Sequence, residues 1–165
     1  APFATSQEIG TGDVTILGSD YSKTFTFAAA GDTDGDGHPD LAVGTSDGFK
    51  YGPGSAGIWH APLASGTFTY TDAPVQITGH DGQMFGDSID SAGDVDGDGF
   101  SDLISSAPHY DGAAPGAAYV IRGPILGSVD VADADITIED GKPLFKSRRV
   151  ILDSRCIDVL LVVPL

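Results

Sequence analysis

"AAGDTDGDGHPDLAVG" (residues 29–44) and its near copy "AGDVDGDGFSDLISS" (residues 92–106) decide how this chain is read. Each run crowds four aspartates into nine positions and leads directly into an apolar, strand-like segment. Carboxylates packed that closely repel one another and resist burial, so something must gather them. Numbered from the first aspartate, positions 1, 3, 5 and 9 are Asp32, Asp34, Asp36 and Asp40 in one run, and Asp94, Asp96, Asp98 and Asp102 in the other. Position 7 is His38 in one and Phe100 in the other, side chains with nothing in common, which points to a backbone carbonyl as the useful group there. Three carboxylates on alternate residues of a tight turn, a carbonyl, and a last carboxylate from the following strand make a cage of hard oxygens. Such a cage suits Ca²⁺, with Mn²⁺ or Mg²⁺ as weaker substitutes. Gly35, Gly37, Gly97 and Gly99 supply the positive-φ positions that the wrap demands.

The spacing separates these loops from an EF-hand, which needs a bidentate acid at position 12. That position is Val43 in the first run and Ser105 in the second. No cluster of nitrogen and sulfur ligands suggests zinc. A solvated acidic turn is the bland alternative, because Asp and Gly are common turn residues. Two copies in phase, each with the same four Asp and two Gly, argue against it.

Outward from the loops, Asp32 corresponds to Asp94, a period of 62 residues. Between turn residues the chain runs in short segments rich in Val, Ile, Phe, Tyr and Thr, the pattern of an all-β protein. Strands are expected at 13–17, 24–30, 40–46, 57–63, 67–72, 74–79, 85–92, 102–108, 117–123 and 135–140. Each unit reads strand, Asp-rich loop, strand, Gly/Pro-rich loop, strand, turn, strand, which is the plan of a four-stranded antiparallel propeller blade. The expected organisation is a propeller fragment over 1–141, with blades at about 13–74 and 75–135. Residues 142–165 form either a degenerate third blade or a non-native tail. "ITIEDGKPLF" (136–145) mirrors "VQITGHDGQMF" (75–85), but "KSRRVILDSRCI" then stands where an Asp-rich loop belongs, and it cannot hold the same ion.

Bulk properties narrow the function classes. The 165 residues carry a net charge of −16, with Lys23, Lys50 and Arg122 the bases of residues 1–141. So acidic a body repels nucleic acid and anionic membranes and attracts cations. Cys156 is alone, so no intrachain disulfide forms. No run approaches the roughly 20 apolar residues of a membrane span. The opening "APFATS" reads as a processed or trimmed end.

The stretch "FGDSIDSAGDVDGDGFSDLISSAPHYDGAAPGAAYVIRG" (85–123) resembles an FG-GAP repeat, the calcium-binding blade of integrin α-subunit propellers and related secreted proteins. Phe85-Gly86, the loop at 94–102 and "APHYDGAAPGAAYV" carry the resemblance. The first repeat is looser: it keeps the loop but lacks the FG dipeptide and the Ala-Pro. The resemblance implies a β-propeller with Ca²⁺ loops between the first two strands of each blade, in an extracellular or secreted setting. Family propellers have more blades than this chain supplies. Exposed blade faces are therefore expected to drive homo-oligomerisation.

Two functions are weighed. The first is a calcium-stabilised structural or partner-binding module that meets a protein or small-molecule ligand through the loops at 48–56 and 109–116. The second is a metal-dependent hydrolase acting on phosphoesters, with the loop cation as Lewis acid and His38, His60, His80 or His109 as base. No catalytic residue is assigned.

Overall fold

The computed structural model describes residues 14–18, 22–47, 52–108, 116–139 and 142–145. The strands are β1 (Val14–Leu17), β2 (Ser22–Gly31), β3 (Asp40–Asp47), β4 (Ser55–Trp59), β5 (Gly66–Thr69), β6 (Val75–Thr78), β7 (Ile89–Gly93), β8 (Asp102–Ala107), β9 (Ala117–Ile121), β10 (Val129–Asp130), β11 (Ile136–Glu139) and β12 (Lys142–Phe145). They form two five-stranded sheets, β10-β6-β4-β3-β2 and β12-β11-β9-β8-β7, and a small β1-β5 pair. Each larger sheet contains a four-stranded antiparallel meander, β2-β3-β4-β6 in one and β7-β8-β9-β11 in the other. The molecule is all-β, a β-propeller fragment of two blades.

Both Asp-rich runs lie where expected, between the first two strands of a blade. The outer strand differs from the sequence reading. The 62-residue repeat groups β6 with the second unit, yet β6 pairs antiparallel with β4 of the first sheet, Ile58 opposite Val75. Sheets in space are thus one strand out of phase with the units at 13–74 and 75–135. β1 and β5 stand outside the first meander and pair with each other in parallel, Val14 opposite Gly66. The β6-β10 pairing repeats this arrangement one unit later, Ile77 opposite Val129. The segment at 67–72 is strand only to Thr69. Its Asp72 carboxylate accepts the Thr69 amide at 2.6 Å and closes a 3-10 turn over Tyr70–Asp72 that feeds β6.

The expected strand at 85–92 begins only at Ile89, because its first residues staple the blades together. Phe85 is fully buried, its amide donates to the Pro53 carbonyl at 3.0 Å, and its ring meets Tyr119 edge-on at 5.9 Å. Gly86, at φ 84°, donates to the Ser106 carbonyl and accepts the Thr26 hydroxyl at 2.9 Å. The FG dipeptide therefore ties β2 of one blade to β8 of the next.

Alternation along the strands builds three apolar layers. Ala42, Ile58, Val75 and Ile77 of the first blade meet Phe85, Leu103, Tyr119 and Ile121 in the core between the blades. On the first blade's other face, Val43 and Trp59 pack with Tyr70, Phe25, Leu41 and Ile16. On the second blade's far face lie Ala92, Val120 and Ile136, with Ile104 and Ile138. These layers repeat in register. Leu41 and Trp59 face one side of their blade as Leu103 and Ile121 face the same side of theirs. Ala42 and Ile58 likewise correspond to Ile104 and Val120. Each fully buried large aliphatic side chain contributes roughly 1.5–3 kcal/mol, so the shared central layer holds the two blades as one body.

Of residues 142–165, only Lys142–Phe145 is described, and it adds to the edge of the second sheet as β12, Ile136 opposite Phe145. The rest of that tail, residues 48–51 of the expected loop at 48–56, and residues 109–115 of the loop at 109–116, His109 included, lie outside the described residues.

Candidate metal centre

Both loops are wired alike. In the first, Asp32 accepts the amides of Gly35 and Gly37 at 2.7 and 2.9 Å, Asp34 accepts that of Asp36 at 3.1 Å, and Asp36 that of His38 at 2.8 Å. In the second, Asp94 accepts the amides of Gly97 and Gly99 at 2.7 and 2.9 Å, Asp96 that of Asp98 at 3.3 Å, and Asp98 that of Phe100 at 3.0 Å. Aspartate is suited to this because its short side chain reaches amides two to five residues ahead. The four loop glycines sit at φ between 79° and 97°. The chain thereby wraps around its own carboxylates: Asp32 and Asp94 turn both oxygens to the backbone, and the aspartates at positions 3 and 5 turn one.

Position 9 has a different task. Asp40 is buried, accepts the Thr33 amide at 2.9 Å and the Thr33 hydroxyl on Oδ2, and takes the Ala61 amide at 2.9 Å on Oδ1. Asp102 is fully buried, accepting the Val95 amide at 2.8 Å on Oδ2 and the Gly123 amide at 2.9 Å on Oδ1. Burial pushes the Asp102 carboxyl up to about 6, against these two bonds and with the nearby Asp96 and Asp98 charges adding to the rise. Each of these aspartates ties the start of its loop to the segment that follows the third strand of its blade.

Ligand atoms of Asp32, Asp34 and Asp36 lie within 4.8 Å of one another, as do those of Asp94, Asp96 and Asp102. The first loop thus gathers positions 1, 3 and 5, and the second positions 1, 3 and 9. Asp40 and Asp98 stand outside the gathered sets, and His38 and Phe100 enter neither by their side chains. The donor set is all oxygen, and in both loops it is built on positions 1 and 3. These residues fit a hard divalent cation.

Arg122 escaped the sequence reading as a neighbour of the loops, and His60, read there only as a candidate base, is its counterpart in the first repeat. Arg122 donates from Nη1 to Asp96 Oδ2 at 2.7 Å and from Nη2 to Asp135 Oδ1 at 2.8 Å. His60 occupies the matching place in the first repeat, with Nδ1 3.6 Å from Asp34 Oδ2 and Nε2 3.0 Å from the Ile125 carbonyl. The signal was present: the two are 62 residues apart, the same period as the loops. Phe100 also has a side-chain role, since its ring fills the space beside Gly35 and Gly123. The loops themselves touch through Ser101 N to Asp32 O at 2.7 Å, and the segment after β9 reaches the first loop through Ile125 N to Thr33 O at 2.8 Å.

This fold and these loops define a class: a repeat-built propeller whose blades each carry an acidic hairpin loop. The family model for the FG-GAP repeat matches residues 25–58 and 85–121, the portions holding the two loops, and the chain is an FG-GAP repeat protein. It is similar to integrin alpha-7 of Homo sapiens, 31% identical over 118 residues that make up 71% of this chain and 10% of that protein. Integrin alpha-7 of Mus musculus and of Rattus norvegicus are each 30% identical over the same length. The chain spans about a tenth of the length of these relatives. FG-GAP repeats of this type support a structural or ligand-binding module.

Proposed function

We propose that the chain is a calcium-stabilised structural or partner-binding module, with one Ca²⁺ held by Asp32, Asp34, Asp36, Asp40 and the His38 carbonyl. The second is held by Asp94, Asp96, Asp98, Asp102 and the Phe100 carbonyl. The observation that carries this reading is the duplication of one hydrogen-bond web around two sets of converging carboxylates. When bound, the ion supplies the positive charge that the crowded carboxylates lack, so that metal uptake and loop folding are coupled. The proposed setting is extracellular or secreted, where calcium is abundant enough for modules of modest affinity. No arrangement among the described residues favours the hydrolase. His38 is exposed, while His60 and His80 are engaged with Ile125 and Asp130.

The reading extends to assembly. The far face of the second blade matches, position for position, the face that the first blade presents to the central core, with Ile104 and Val120 where the first blade has Ala42 and Ile58, so a second copy would stack head to tail on an equivalent surface. Phe27, 62% exposed beside Phe25, lies on the complementary face of the first blade. Light scattering is expected to give a concentration-dependent mass that Phe27→Ser lowers; a monodisperse monomer removes the assembly proposal.

The metal reading is tested by melting the protein in calcium and in chelator, with Asp36→Ala and Asp98→Ala alongside. Tm is expected to rise with calcium and to fall in chelator, each variant losing part of the response. A melting curve indifferent to both treatments overturns it.

A further inference from the structure

The two loops are alike in sequence and in backbone wiring, and they differ in the group set against position 3. In the second loop Asp96 Oδ2 already holds a guanidinium nitrogen at 2.7 Å. Arginine keeps its charge at any pH the protein survives. It is braced from behind, with Nη2 and the Arg122 amide both on the Asp135 carboxylate at 2.8 and 2.9 Å. In the first loop Asp34 Oδ2 has only the His60 ring, at 3.6 Å, and that ring is drawn off by the Ile125 carbonyl through its other nitrogen. Where the second repeat has Asp135 ahead of Ile136, the first has Pro74 ahead of Val75, so no carboxylate stands ready to brace a cation there.

We infer that the two loops are unequal cation sites: Arg122 makes the Asp94–Asp102 loop the weaker one, and the Asp32–Asp40 loop fills first. This rests on the reading of both loops as calcium sites. Calcium affinity in all-oxygen loops follows the ligand charge count and the rigidity of the site. Arg122 offsets one negative charge at the second loop and occupies a lone pair of a position-3 oxygen. Asp135 compensates the guanidinium through its other nitrogen, so it reduces this effect without removing it. The same contact gives the second loop a brace that needs no metal. Its Asp96–Arg122–Asp135 bridge connects the loop to the turn before β11, whereas the first loop has no side-chain bridge of this kind among the described residues.

Calcium titrations by isothermal calorimetry test the ranking on two single-loop proteins and a second substitution made in each. Asp98→Asn leaves the first loop intact, and Asp36→Asn leaves the second. The first loop is expected to bind about tenfold or more tightly than the second. Adding Arg122→Gln to the Asp36→Asn protein is expected to close most of that gap by strengthening the second loop. His60→Arg, made with Asp98→Asn, is expected to weaken the first loop by a similar factor, and it carries the test if Arg122→Gln does not fold. Equal affinities in the two single-loop proteins, a reversed order, or a second loop weakened by Arg122→Gln would each overturn the inference. No calcium uptake by either single-loop protein overturns the calcium reading itself, and the ranking with it.

Discussion

The ring of Phe100 lies against Gly35 so closely that a β-carbon on Gly35 would fall inside the envelope of its Cε1 atom. One loop's position 7 thus fills the place that the other loop's position 4 leaves empty. With the Ser101–Asp32 hydrogen bond beside it, this contact makes the two acidic loops a single packed unit across the blade boundary.

Three alanine substitutions at positive-φ glycines should therefore rank by their surroundings. Gly97→Ala, with open space around it, is expected to cost about 1 kcal/mol from backbone strain alone. Gly35→Ala, at the same loop position, adds a clash with a ring held between Gly35 and Gly123, and about 2–3 kcal/mol is expected. Gly86→Ala would drive a β-carbon into the Ser55 carbonyl, which cannot rotate away, and about 4 kcal/mol or failure to fold is expected. Urea unfolding in calcium checks the order; equal costs at Gly35 and Gly97 would contradict the loop-to-loop packing.

Phe85→Ala should remove the aromatic plug between the blades. A fully buried ring in contact with Tyr119 leaves a large cavity on truncation, and a loss of about 3–5 kcal/mol is expected. The loss should act on both blades together, read as a single unfolding transition shifted to lower denaturant. Two separated transitions in the unmutated protein would mean that the blades do not share a core.

Asp102 should set a pH dependence in calcium-free buffer. Its folded pKa of about 6 lies above the roughly 3.9 of an unfolded aspartate, so the fold favours the protonated form. Its contribution to stability is fully present below about pH 4 and is lost as pH rises through 6, a change on the order of 2–3 kcal/mol. Asp102→Asn should be less stable overall, because an amide cannot accept both backbone bonds, and it should lack this component of the slope. Calcium should move the transition to lower pH, since a cation favours the carboxylate. Denaturation midpoints between pH 4 and 7, with and without calcium, provide the check.

The all-β class, the two loops and most strand positions were legible because their causes are local. Asp32 and Asp94 reach amides only three and five residues ahead, so the loop's shape is written within a nine-residue window. Strand periodicity is local as well, and the family resemblance rests on the same windows. What the tertiary structure decided is everything that crosses between repeats. It moved β6 from the second unit into the first sheet, between β4 and β10, and turned Phe85 and Gly86 from strand into a staple. It also set Phe100 against Gly35 and put Arg122 on Asp96 where the first loop has His60. The separations run from 17 positions for Ile58 and Val75 in the β6 pairing, through 26 for Arg122 and Asp96, to more than 60 for Phe100 and Gly35. Two loops with one sequence pattern thereby acquire different neighbours, because a blade packs on its two faces against two different partners.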